Sequence, residues 1–69
     1  MVDLALFAQG DVYIDDPYQD MKFRFEKETG KYFARNYGAP ENEIPHTDSF
    51  FREALSGGKS ISRQEYYRD

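Results

Sequence analysis

Basic and aromatic side chains alternate along residues 21–37, and no other stretch of the chain has as many side chains suited to binding a ligand. Lysine or arginine stands at positions 22, 24, 27, 31 and 35, and aromatic rings stand at positions 23, 25, 32 and 33. Several proteins that bind single-stranded nucleic acid combine cations that follow the phosphates with rings that stack on the bases. The stretch therefore supplies a candidate interaction surface, made of Lys22, Arg24, Tyr32 and Arg35.

Carboxylates are concentrated in the first twenty residues, which hold five aspartates and no base. The run from Asp15 to Asp20 could be read as a cation site, but it lacks the central glycine and closing glutamate of an EF-hand loop. We expect a solvated acidic loop. The same aspartates could face a basic partner or imitate a nucleic-acid backbone, which suggests an acidic inhibitor of a DNA-binding protein.

Catalytic and metal-binding residues are scarce. The chain has no cysteine and one histidine, His46, which lies between Pro45 and Thr47. No nucleophile elbow, phosphate-binding loop or H-E-x-x-H motif is present. A chain of 69 residues also has little room for a pocket of the usual ligand size. We expect no enzymatic activity, no cofactor and no metal site.

The element that must position the basic and aromatic residues is a β-hairpin over residues 21–37. Met21, Phe23 and Phe25 alternate with charged residues, which is typical of a strand with one buried face. A three-residue loop, 28–30, would pair Phe25 with Phe33 and collect the phenylalanines on one face. Tyr32 would then lie on the basic face. A two-residue loop would scatter the rings over both faces, so the three-residue loop is our prediction.

The rest of the chain predicts a small α+β domain over residues 1–69, in which residues 1–20 are the least firmly placed. A helix over about 47–57 is expected to begin at Thr47 and to end with Gly57 in the left-handed region. A short C-terminal helix should begin at Ser62, which has capping-box spacing with Glu65. Residues 2–8 are expected to form a strand, with a short helix or disorder as alternatives. Residues 11–14 should form another strand, and 38–45 a loop in which Ile44 packs on the core.

The expected hydrophobic core follows from these elements. Its predicted members are Leu4, Leu6, Val12, Ile14, Phe23, Phe25, Phe33, Phe50, Leu55 and Ile61, with Phe51 and Tyr66 beside them.

Size, charge and aromatic content favour protein binding over other functions. The chain carries a net charge of −4 and twelve aromatic residues. Overall acidity opposes phosphate binding, and aromatic residues are enriched at protein interfaces. We therefore expect a non-enzymatic protein-interaction module or homodimer, with nucleic-acid binding by the hairpin as the alternative. The absence of cysteine and of any transmembrane-length stretch leads us to expect a cytoplasmic protein.

The ending of the chain resembles that of other short proteins. Residues 57–66, GGKSISRQEY, fit a G-G-x-x-I-S-x-x-E-Y pattern. Together with the charged hairpin and its Thr-Gly-Lys turn, this looks like a class of short uncharacterised bacterial and phage-type proteins. The resemblance covers about two thirds of the chain, leaves out residues 1–20 and implies no activity.

Overall fold

A computed structural model describes residues 1–68 of the chain. The elements in order are a 3₁₀ helix Leu4–Ala8, strands β1 Val12–Asp16, β2 Met21–Glu26, β3 Lys31–Asn36 and β4 Asn42–Ile44, helix α1 Ser49–Gly57, strand β5 Lys59–Ser60, and helix α2 Arg63–Tyr67.

All the strands form one antiparallel sheet in the order β4-β3-β2-β1-β5. The 3₁₀ helix and α1 cover its first face, and α2 lies on its second face. This confirms the predicted α+β class, with a small antiparallel sheet built on the 21–37 hairpin and one packed helix. Strand β4 lies inside the segment that was predicted to be a loop, where Ile44 pairs with Tyr32 and packs against the core as expected.

The predicted register of the hairpin is wrong by one residue. Glu26 pairs with Lys31, so the loop has four residues, and the Gly30 N–H donates to the Glu26 carbonyl at 2.8 Å. Gly30 has a φ of 73°, a conformation that glycine adopts without steric cost. Phe25 therefore faces Tyr32, which shares the first face with the phenylalanines. Phe33 moves to the second face.

Packing against α1 explains why this register prevails. Small Ala34 lies opposite Phe23 and lets the helix approach the sheet, while the ring of Tyr32 lies 5.0 Å from that of Phe51 and 4.8 Å from that of Phe25. A tyrosine can bury its ring at the margin of a core while its hydroxyl stays near water. The register is therefore set by the contacts of Tyr32 and Ala34 beneath α1, and not by the number of phenylalanines on one face.

Helix α1 differs from the prediction at both ends. Asp48, not Thr47, is the N-cap, and its carboxylate accepts the Phe51 N–H at 3.0 Å. Gly57 is the last helical residue, and Gly58 follows with an extended backbone. An added Cβ on Gly58 would lie 2.7 Å from the Ala54 carbonyl oxygen. Gly58 is therefore required by close packing, not by a left-handed turn.

The N-terminal segment and parts of the core also depart from expectation. Residues 4–8 form a 3₁₀ helix. The predicted strand is therefore wrong here, and the short-helix alternative is correct for these residues. Leu4 and Phe50 are exposed, whereas Val2 and Ala54 are buried in the core. Val2 is drawn in because its N–H donates to the Leu55 carbonyl at 2.9 Å. Of the other predicted core members, Val12, Ile14, Phe23, Phe51 and Tyr66 are buried, while Leu6, Phe25, Phe33, Leu55 and Ile61 are half-buried.

Helix α2 begins at the predicted capping box. Ser62 is the N-cap, its hydroxyl accepts the Glu65 N–H, and the Glu65 carboxylate accepts the Ser62 N–H, both at 3.1 Å. Tyr66 is fully buried on the second face of the sheet, where its ring lies 5.5 Å from that of Tyr13. The predicted helix start is thus confirmed, with Ser62 as the N-cap and Arg63 as the first helical residue.

Candidate interaction surface

The residues of the predicted interaction surface do not share a face. Lys22, Arg24 and Arg35 lie on the second face, whereas Tyr32 lies on the first, packed against Phe25 and Phe51. The expectation that Tyr32 stands among the basic residues is wrong because the register shift moved it.

Arg24 is the centre of a polar network on the second face. Its guanidinium donates to both carboxylate oxygens of Glu41, at 3.1 and 2.7 Å, and to Glu26 at 3.0 Å. It also lies 4.1 Å from the centre of the Phe33 ring. The hydrogen bond from Arg24 is the main reason why the pKa of Glu41 is below its usual value. Such bidentate pairs are strong when partly removed from water.

The Tyr66 hydroxyl joins the same network. It donates to Glu41 Oε1 at 2.8 Å, so one carboxylate receives bonds from both the sheet and α2. Burial, reinforced by this carboxylate, raises the pKa of Tyr66. Glu41 therefore connects β2, the loop after β3 and the C-terminal helix.

The other two cations hold the carbonyl end of α2. Lys22 Nζ donates to the Glu65 carbonyl at 2.7 Å, and Arg35 Nη1 donates to the Tyr66 carbonyl at 2.7 Å. The last carbonyls of a helix have no partner within it, and cations placed there also suit its dipole. The basic residues of the hairpin thus serve the fold, and the surface that they were predicted to form is largely occupied by α2.

The most exposed aromatic side chain of the described residues lies in the turn between β1 and β2. Tyr18 is 89% exposed, and Phe50, in the first turn of α1, is 54% exposed. Gln19 joins the two elements, since its side-chain amide donates to the Phe50 carbonyl at 3.0 Å. We call Tyr18, Asp20, Phe50 and Glu53 the turn surface.

The acidic loop that we expected to be solvated contains one buried carboxylate. Asp16 is 2% exposed, accepts the Tyr18 N–H at 3.1 Å and accepts the Gln19 side-chain amide at 2.6 Å. A buried carboxylate is costly unless it is hydrogen-bonded, so these bonds are what allow it. Asp16 is therefore a structural residue that shapes the turn.

Sequence reasoning missed the turn surface. Its only signal was a Pro17-Tyr18 pair in an acidic segment, which is equally typical of a solvated loop. The approach of α1 to this turn, which completes the surface, joins residues 19 and 50 and leaves no local pattern in the sequence.

A shallow groove of about 370 Å³ adjoins the turn on the second face. It is lined by carboxylates, cations and two apolar side chains, namely Asp15, Glu65, Lys22, Lys59, Arg68, Tyr37 and Ile61. The Tyr37 hydroxyl donates to Asp15 at 2.5 Å, and burial followed by this bond raises the pKa of Tyr37.

Residues 1–68 contain neither a cluster of metal ligands nor a helix suited to span a membrane. Among them, no three histidine, aspartate or glutamate side chains are grouped closely enough to hold a metal ion. No helix in this part of the chain combines the length and apolar character needed to cross a bilayer.

Comparison with known proteins gives consistent matches over nearly the whole chain. A sequence model described as the Tis1 immunity protein matches residues 3–69. A curated relative, the immune protein Tis1 of Pseudomonas aeruginosa (strain UCBPP-PA14), is 37% identical over 62 residues, which cover 87% of this chain and 80% of the relative.

A solved structure agrees with both sequence matches. A chain in the crystal structure of the complex between the type VI effector Tas1 and its immunity protein matches with a TM-score of 0.89 and 32% identity. The match covers 96% of this chain and 91% of that chain. The resemblance to uncharacterised proteins, which left out residues 1–20, was therefore too narrow. The chain belongs to the Tis1 immunity protein family.

Proposed function

We propose that this chain is an immunity protein that binds a type VI effector and neutralises it. The observation that supports this most directly is the match of 96% of the chain, at 32% identity, to a chain of an effector–immunity complex. The curated relative named as an immune protein supports the same function. Neutralisation is by binding alone, and it takes place in the cytoplasm.

The described architecture suits a protein that acts by binding. A five-stranded sheet covered by helices on both faces holds a nearly fully exposed tyrosine on a hydrogen-bonded turn. Interfaces between preorganised partners lose less conformational entropy when they form. The interaction-module function expected from composition agrees with this proposal, and so does the inhibitor function in its general form.

Nucleic-acid binding by the hairpin receives no support from the geometry. Lys22, Arg24 and Arg35 donate to protein oxygens, and the ring of Tyr32 contacts the core. A surface that binds single strands needs cations and stacking rings on one accessible side. The hairpin places Tyr32 on the side opposite these cations, and the Phe33 ring on their own side is covered by the Arg24 guanidinium.

The proposal is tested by producing the Tas1-like effector of the source organism with and without this chain in one bacterial host. We expect growth arrest with the effector alone and normal growth with both proteins. The two purified proteins should also elute together in size-exclusion chromatography. Failure to restore growth, together with separate elution, would overturn the proposed function.

A further inference from the structure

Tyr18 stands out among the aromatic residues because it is exposed and yet held by an ordered turn. Its side chain is 89% exposed, which leaves most of its apolar area in water. Tyr18 follows Pro17, whose ring fixes the backbone angle φ. A tyrosine in such a position supplies large contact area at a low cost in conformational entropy.

The turn that carries Tyr18 is held by several independent bonds. Buried Asp16 accepts hydrogen bonds from the backbone of Tyr18 and the side chain of Gln19, and the Asp20 carbonyl accepts the Tyr37 N–H at 3.0 Å. Asp20 itself has a φ of 53°, in the left-handed region that aspartate and asparagine enter more often than most other non-glycine residues. The buried Asp16 side chain and the left-handed Asp20 therefore hold the backbone of Tyr18 in one conformation.

The turn and the start of α1 bring one further exposed ring and two carboxylates to the same part of the molecule as Tyr18. Phe50 is joined to the turn through Gln19, and Glu53 lies one helical turn from Phe50 on the same side of α1. Within residues 1–68, the carboxylates of Asp20 and Glu53 form no salt bridge and no side-chain hydrogen bond. Each exposed ring therefore has an unpaired carboxylate two or three residues further along its own element.

We propose that the turn surface is the anchor of the effector interface. Tyr18 inserts into an apolar pocket of the effector, Phe50 covers its margin, and lysine or arginine residues on the rim of that pocket face Asp20 and Glu53. This inference rests on the proposed function, since it assigns a surface to the partner named there. The chain's net charge of −4 is complementary to such a basic rim.

Interface energetics explain the division of roles. Tyrosine is among the residues that dominate binding energy when they fill a partner's pocket. Contacts around such a residue contribute little energy themselves but exclude water from the pocket. Charges at a rim act mainly on the association rate and on its salt dependence. Tyr18 should therefore govern dissociation, and the carboxylates should govern association.

The test measures association and dissociation rates between the full chain and the Tas1-like effector by surface plasmon resonance. Tyr18→Ala should weaken binding by about thirtyfold or more, almost wholly through faster dissociation. The double variant Asp20→Asn, Glu53→Gln should slow association by about three- to tenfold at low salt, with a smaller effect at high salt. Asparagine suits the positive φ at position 20.

Matched controls place the same changes elsewhere on the molecule. Tyr67→Ala removes another exposed tyrosine, 52% accessible, from α2 on the second face. The double variant Glu28→Gln, Glu43→Gln removes the same charge from exposed positions in the hairpin loop and on β4. Both controls should stay within about threefold of the wild type, and all variants should keep its circular dichroism spectrum and melting temperature.

The outcomes separate this inference from the proposed function. If the wild type binds and Tyr18→Ala binds equally well, the anchor assignment is overturned while the proposed function stands. Weakening by Tyr67→Ala instead would assign the interface to the second face. If the wild type does not bind the effector at all, the proposed function itself fails.

Discussion

The sheet carries a helix on each face, and the two helices are held by different interactions. On the first face, α1 buries Phe51 and Ala54 against Phe23 and Ile14 in an apolar core. On the second face, α2 has five residues and is held by one buried tyrosine, a capping box and cations that reach its last carbonyls. A helix this short does not form alone in water.

This difference shows how one hairpin can serve two kinds of packing. Alternate residues of β2 point to opposite faces, so Phe23 and Phe25 contribute to the core while Lys22 and Arg24 contribute to the polar network. The basic–aromatic alternation that resembles a nucleic-acid surface is the consequence.

Phe23→Ala should lower the free energy of unfolding by about 3–5 kcal/mol, because it leaves a cavity in the first face. Phe23 is completely buried, and its ring lies 5.9 Å from that of Phe51. Urea unfolding monitored by circular dichroism measures the loss. The exposed ring of Phe50 gives the control, since Phe50→Ala should change stability by less than about 1 kcal/mol. Equal losses of stability in Phe23→Ala and Phe50→Ala would contradict the assignment of the apolar core to the first face.

Gly58→Ala should destabilise the protein by about 1–3 kcal/mol through overpacking where α1 meets β5. The new methyl would lie 2.7 Å from the Ala54 carbonyl oxygen and 2.9 Å from the Ile14 side chain. Gly57 is the matched control, because no atom lies within 4 Å of its added Cβ. Gly57→Ala should be neutral or stabilising by up to about 1 kcal/mol. Thermal denaturation of both variants measures these changes. A Gly58→Ala variant as stable as the wild type would contradict the close packing.

Glu41→Gln should cost about 1–2 kcal/mol at neutral pH, since it weakens charged hydrogen bonds on the second face. The substitution should also make the free energy of unfolding fall less steeply as the pH is lowered, a region called here the acid limb of the stability profile. The pKa of Glu41 is lowered by Arg24 in the folded state, so its contribution is present above the ordinary value of 4.5 and is lost as pH falls through the folded value. Urea unfolding between pH 7 and pH 3 measures this.

The comparison variant for the acid limb is Glu28→Gln, in the exposed hairpin loop, which should leave the profile unchanged. Some slope should persist in Glu41→Gln, because the pKa values of Glu26 and Glu65 are also lowered. An unchanged acid limb in Glu41→Gln would mean that the network is not formed in solution.

Tyr66→Phe should cost about 1 kcal/mol, the typical worth of one hydrogen bond, because it removes the donor to Glu41 and keeps the ring. The pKa of Tyr66 is raised in the folded state, so its neutral hydroxyl stabilises below the ordinary value of 10.0 and this is lost as pH rises through the folded value. The variant should therefore lose less stability in alkali. Guanidinium unfolding at pH 7 tests the loss of the hydrogen bond, and unfolding at pH 11 tests the smaller loss of stability in alkali. Tyr67→Phe is the control for both measurements.

Several features could be predicted from the sequence because their causes are local. The strand over Met21–Glu26 follows from strict alternation, and the capping box at Ser62 needs only residues three positions apart. Val12 and Ile14 share a buried face for the same reason of period two. Short-range patterns determined where the main elements lie and that the protein is α+β.

Tertiary contacts decided what these elements do. The hairpin register depended on the fit of Ala34 and Tyr32 beneath α1, and the N-cap of α1 moved to Asp48. The basic residues became partners of helix carbonyls, and the turn surface arose only when Gln19 reached Phe50. Each of these contacts joins residues far apart in the chain, whose energies no local pattern contains. For this reason local patterns were enough to place the two hairpin strands and the two α-helices, whereas the 3₁₀ helix, β4 and the choice of exposed side chains depended on long-range packing.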